Sequence, residues 1–319
     1  MNTKLVENIA DAVLYEGYML YPYRASAIKN QQRWNFGVLY PRAFAESQRG
    51  SDSWSMQTEC LAQSFGGSAR LTLRLRFLHL LERSAEDQPA QTWQEGTECD
   101  VNIASLNIAA LSSHSERHEF AFAARTEKDG TVSRKWESIE GCLESEADEL
   151  GNGLFKIRLR VFNTASIDDA TRSSRDRVLL RSLLSAHTIL KIEDGEFISL
   201  LEPPEELREA AAQCKNAGTW PVLVGDHRER DAILSSPIIL YDYPQIAPES
   251  AGNLFDGTEI DEILTLRIMT MTDDEKAEMG QVDERTRQIL ERTESMPPEQ
   301  LMKMHGVLRG LRELRQETP

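Results

Sequence analysis

Two short stretches, Leu71 to Phe77 (LTLRLRF) and Phe155 to Phe162 (FKIRLRVF), alternate apolar and basic residues with a period of two. Successive side chains of a strand point to opposite faces, so the alternation predicts two strands that bury Leu71, Leu73, Leu75 and Phe77, or Phe155, Ile157, Leu159 and Val161. Their other faces are basic. Five further runs share the period: Trp34 to Tyr40, Ser55 to Ala62, Trp93 to Ile103, His118 to Arg125 and Arg134 to Leu143. Turn-forming spacers such as AEDQPA, EKDG and ELGNG separate them, and this spacing predicts an antiparallel β-sandwich or barrel-like body.

The rest of the chain is read as α+β. Leu5, Val6, Ile9, Ala10, Val13 and Leu14 fall on one stripe of an opening amphipathic helix, so the first region is a helix plus the β body, residues 1–163. A mixed α/β region follows over residues 164–255. There, Ser173 with Asp176 resembles a helix cap, HTILKI reads as a strand, and Asp194-Gly195 signals a hairpin into EFISLL. Pro203 and Pro204 open a helix, and Trp220 to Val224 and Ile238 to Tyr241 read as buried runs. Residues 256–319 form an acidic helical end, with Thr272 to Glu275 as a capping box.

Composition narrows the function classes. Lys plus Arg number 36 against 52 Asp plus Glu, a formal charge of −16, which repels phosphate backbones and anionic lipid and so argues against nucleic acid and membrane as partners. The N-terminus has no uninterrupted apolar region of the signal-peptide kind, and no apolar window is long enough to span a bilayer; a cytoplasmic location is expected. Cys60, Cys99, Cys142 and Cys214 lie 39, 43 and 72 positions apart, a spacing of reduced thiols rather than of a disulfide framework.

Reactive constellations are few, and no cofactor is implied. His114 and His118, or Cys60 and Cys99 (each preceded by Thr-Glu), are the candidate metal ligands, against the plainer reading of turn polars and core thiols. Asp226, His227 and Arg228 follow an apolar strand, a placement that suits an acid/base or metal-assisted hydrolase site, against the plainer reading of a solvated loop of mixed charge. The tyrosine-rich pieces Tyr15 to Tyr23 and Tyr241 to Tyr243 leave open a small-molecule pocket. Arg70, Arg74 and Arg76 on one strand and Lys156, Arg158 and Arg160 on another would concentrate six positive charges if the strands are close, as a site for an anion or acidic partner. Like charges repel across strands, so the six acids between Glu137 and Glu149 are expected to cover them. Asp256 to Glu284 holds ten acids against Arg267 and Lys276, which makes Asp261, Glu262, Asp273, Asp274 and Glu275 a candidate face for a basic partner.

Two long strings, ADAVLYEGYMLYPYRASAIKNQQRWNFGVLYPRAF and LSSPIILYDYPQIAPESAGNLFDGTEIDEILTLRIMTMTDDEK, resemble an uncharacterised bacterial family associated with gene clusters of nickel-iron uptake hydrogenases. That family has no established activity or catalytic residues to carry over. The resemblance implies a non-enzymatic accessory role in hydrogenase maturation or assembly, with a hydrogenase subunit as protein partner.

Overall fold

The computed structural model describes residues 3–15, 37–48, 50, 52–85, 88–245 and, farther on, 271–273, 276, 287, 290, 291, 294 and 295, with backbone only at 88–93. Contacts divide the chain into two units, Met1–Met19 with Gln32–Gln245, and Leu20–Gln31 with Ile246–Pro319.

Twelve strands build the first unit: β1 (Ser55–Ser64), β2 (Arg70–Ala85), β3 (Gln88–Asn107), β4 (Glu116–Phe122), β5 (Arg125–Asp129), β6 (Val132–Trp136), β7 (Ile139–Gly151), β8 (Leu154–Asn163), β9 (Leu184–Glu193), β10 (Gly195–Ile198), β11 (Trp220–Leu223) and β12 (Ala232–Ser236). One sheet has the order β10-β1-β8-β7-β4; the other runs β11-β12-β9-β2-β6-β5, with β3 on the second edge of β2. All these ladders are antiparallel. The alternation seen in the sequence decides which way the strands face. Leu71, Leu73, Leu75 and Phe77 meet Ile157, Leu159, Val161, Met56, Cys60 and Leu143 in the core between the sheets.

Each sheet carries a helix on its outer face. α1 (Thr3–Tyr15) lays Val6, Ile9, Ala10 and Val13 on Ile189, Val222 and Leu234 of the second sheet. A short helix Arg208–Ala212 follows a 3-10 turn and covers Leu61, Leu154 and Ile198 of the first sheet through Ala211 and Leu207. Other short helices are Arg42–Ser47, Ile108–Leu111 and Arg175–Leu179.

The structure corrects several expectations. Residue 163 is no boundary, because β9 inserts between β2 and β12 and β10 adds to β1, so the supposed mixed region is woven into both sheets. Asp194-Gly195 makes no hairpin. Asp194, at φ 55°, turns a corner that carries the chain from one sheet to the other, and Gly195 sits opposite Ser64. The run Arg134 to Leu143 divides into β6 and β7, which lie in different sheets. Gly37 to Tyr40 forms only an isolated bridge at Leu39. The cap of the Arg175–Leu179 helix is Ser174, one residue later than expected. The strand after the Asp226 loop is Ala232–Ser236, whereas Ile239 and Tyr241 are exposed.

In the second unit, Asp273, Lys276, Arg287, Leu290, Glu291 and Glu294 are helical, and the Lys276 N–H bonds the Thr272 carbonyl at 2.9 Å. Among the described residues, no helix is long and apolar enough to cross a membrane.

Candidate functional site

The six basic strand residues do not form one cluster. Arg70, Arg74 and Arg76 belong to β2 in one sheet, and Lys156, Arg158 and Arg160 to β8 in the other. Each triplet is engaged where it lies, and among the described residues all but Arg70 have acidic partners.

On the first sheet, β7 runs beside β8 so that Glu144 opposes Arg160, Glu146 opposes Arg158 and Asp148 opposes Lys156. Opposite charges at directly paired positions attract, and ion pairs form at 3.2 Å (Arg160–Glu144), 2.5 Å (Arg158–Glu146) and 3.1 Å (Lys156–Asp148). Arg158 also donates through Nε to Glu59 at 2.5 Å. Glu59 is buried on β1, and its second oxygen accepts from the Lys215 N–H at 2.7 Å, which moors the 215–217 segment to the strand edge. The acids near residue 140 therefore cover the basic face of β8.

The β2 triplet is covered from elsewhere. α1 presents Glu7 and Asp11 one turn apart toward β2, while β3 supplies Glu98 and Asp100. Arg76, only 3% exposed, has Asp11 at 2.8 Å, Asp100 at 3.2 Å, Glu98 at 3.4 Å and Glu7 at 3.8 Å. Arg74 binds both oxygens of Glu7, at 2.7 and 2.8 Å. Arg70 donates to the Ser105 hydroxyl at 2.5 Å. Beneath α1, His187 faces Arg76 across the ladder and donates from Nδ1 to the Ser185 carbonyl at 2.8 Å; burial lowers its pKa to about 3, so the ring is neutral.

The candidate reactive groups do not converge. Asp226, His227 and Arg228 are all exposed, and His227 stacks edge-on against Tyr243 at 5.2 Å. The Asp226 N–H instead bonds Glu229, which closes the loop on itself. His114 is exposed after a turn and His118 is half-buried on β4. Cys60 lies on β1 and Cys99 on β3, in separate sheets. Burial pushes both thiols up, Cys99 to about 12, which keeps them protonated and poor ligands. Among the described residues, no three His, Cys, Asp or Glu side chains are grouped to hold a metal ion. Asp261, Glu262, Asp274 and Glu275 lie outside the described residues, as does the tyrosine-rich segment beyond Tyr15; Asp273 is exposed.

Two features were not legible as sites in the sequence. One is an apolar rim: Trp220 on edge strand β11 is 42% exposed, and Ile239 and Tyr241, on the chain leaving β12, are 74% and 86% exposed. The other is a cavity of about 430 Å³ lined by Arg42, Trp54, Arg117, Cys142, Glu144, Phe162, Asn163 and Thr164. It forms where the outer face of the first sheet meets the Arg42–Ser47 helix. Asn163 closes its end, with its amide donating to the Leu39 and Arg181 carbonyls at 2.8 and 2.9 Å. Arg117 enters from β4, where it is paired with Glu144.

No protein-family model matches the chain, and no curated protein does.

Proposed function

We propose that this chain is a non-enzymatic cytoplasmic accessory protein that acts by binding another protein. The observation that carries the reading is the rim of Trp220, Ile239 and Tyr241. Trp220 is exposed on edge strand β11, Ile239 and Tyr241 are exposed on the segment that follows its partner β12, and Trp and Tyr are the side chains that anchor protein interfaces. Separately, the sequence Asp256 to Glu284 holds ten acids against two bases, a composition suited to a basic partner surface. The sequence resemblance makes a nickel-iron hydrogenase subunit the first partner to test.

The experiment is recovery of the chain from its native host at moderate salt, followed by identification of what accompanies it. A hydrogenase subunit held by the native protein and lost from the Trp220→Ser/Tyr241→Ser variant is the expected result. Recovery of the native chain alone under gentle conditions overturns the reading.

A further inference from the structure

The cavity beside the Arg42–Ser47 helix has a wall built in layers. The Arg42 guanidinium carbon stands 4.5 Å above the Trp54 ring, Trp54 lies 5.3 Å from Phe162 at a 34° tilt, and Arg160 stands 6.0 Å from the far ring. Cation–ring and ring–ring attraction ties each group to the next. Arg117, on β4, also lines the cavity.

Both cavity arginines are held by one side of the fork. Arg42 donates through Nε to Glu46 at 2.7 Å, and Arg117 donates through Nη1 to Glu144 at 2.7 Å with its Nε 3.5 Å from Glu119. Among the described residues, both Nη atoms of Arg42 and Nη2 of Arg117 have no hydrogen-bond partner. A guanidinium fixed in this way loses little further freedom when a carboxylate binds its remaining N–H groups. Glu144, the one carboxylate on the wall, is already shared with Arg160 at 3.2 Å. The floor is apolar, formed by the buried Cys142 thiol and Phe162, and burial raises the Cys142 pKa so that it adds no charge.

We propose that this cavity binds a small organic carboxylate whose carboxyl group is attached to a planar apolar ring. The ring packs over the Cys142 thiol and against the ring edges that the stack leaves open, and the carboxylate takes the free N–H groups of Arg42 and Arg117. The volume, at the lower end of ligand pockets, suits one ring with a short acidic arm. Binding here is independent of the apolar rim on the other sheet.

The probe is benzoate, titrated into the full chain and followed by ligand-detected NMR, with benzyl alcohol and benzamidine as ring-matched neutral and cationic controls. Saturable benzoate binding is expected, with benzyl alcohol at least tenfold weaker and benzamidine not bound. Arg42→Gln and Trp54→Leu should each weaken benzoate at least tenfold. Arg42 is exposed and its one side-chain ion pair is with Glu46 on its own helix, so its replacement leaves the fold intact and the test remains decisive even if Trp54→Leu unfolds. Non-saturable benzoate binding, equal affinity for benzyl alcohol, or unchanged affinity in Arg42→Gln overturns the proposal.

Discussion

Replacing Arg158 with Met isolates the most deeply buried charge on the first sheet. Glu59 is 2% exposed, and among the described residues Arg158 is the one cation paired with it; the Lys215 N–H is its other partner. Removing one member of a buried pair costs about 3–5 kcal/mol, because a carboxylate is left without compensation. Arg158 itself is 26% exposed, so water reaches the gap and the lower end, about 3 kcal/mol, is expected. The lost contacts to Glu146 and Asp148, 30% and 53% exposed, add about 0–1 kcal/mol. For a body of this size each kcal/mol lowers Tm by about 2–4 °C, so a loss of about 3–4 kcal/mol should lower the melting temperature by roughly 6–16 °C. Urea unfolding and calorimetry measure both quantities. Glu59→Gln/Arg158→Met leaves no charge to strand, and the amide oxygen still accepts from Lys215, so the double variant should regain more than half of the loss. A loss below about 1 kcal/mol in Arg158→Met, which is the range of a surface pair, or a double variant no more stable than the single, refutes this account.

Acid should weaken the fold through two buried histidines. Burial lowers the pKa of His79 to about 4 and of His187 to about 3, so between the unfolded value near 6.5 and those values the unfolded chain binds protons that the folded chain refuses. Stability is complete above about pH 6.5 and falls as pH drops, by up to about 1.4 kcal/mol per pH unit for each ring; unfolding at pH 7, 6 and 5 measures the slope, which His187→Gln should roughly halve. In the native protein a thiol reagent at mildly alkaline pH should leave Cys60, Cys99 and Cys142 untouched and reach half-buried Cys214 slowly, its pKa being raised to about 11 by burial, whereas denaturant should release all four. Rapid native reaction of Cys60 or Cys99 would contradict their burial. A Cβ at Gly195 would sit 2.6 Å from the Gln63 carbonyl oxygen, so Gly195→Ala should lower stability by about 1–3 kcal/mol in chemical denaturation.

What the sequence revealed, and what it hid, follows from the range of the interactions. β2 and β8 were legible because alternation is local and a buried face enforces it. The cover on β8 was also legible, since acids on the preceding strand reach it through a tight turn at Asn152-Gly153. The cover on β2 was not: Glu7 and Asp11 arrive from a helix more than 60 positions away, and no local pattern ties them to Arg74 or Arg76. The Asp194-Gly195 signal gave the correct backbone conformation with the wrong partner, because a turn residue fixes a bend and not the strand that waits beyond it. β12 escaped detection because Ser235 is buried for a polar reason: its hydroxyl lies between Thr58 at 2.7 Å and Thr219 at 2.8 Å. The cavity needed Arg42, Arg117 and Phe162 from three distant segments.

The distribution of charge connects the fold to its surface. On β2 and on β8 the outward residues form a basic row met by acids, and the β2 row lies partly under a helix. Ion pairs of this kind contribute little net stability compared with apolar residues of equal volume. They do discriminate position: a one-turn shift of α1 would take Asp11 away from Arg76 and leave a 3% exposed guanidinium facing fewer acids. The same logic places the 215–217 segment through Glu59. Charges engaged in this way are not free to recruit a ligand or partner. Among the described residues, both Nη atoms of Arg42, Nη2 of Arg117 and the exposed rings of Trp220 and Tyr241 are not engaged in this way, which is why the proposed ligand and partner sites fall on the cavity of one sheet and the edge of the other.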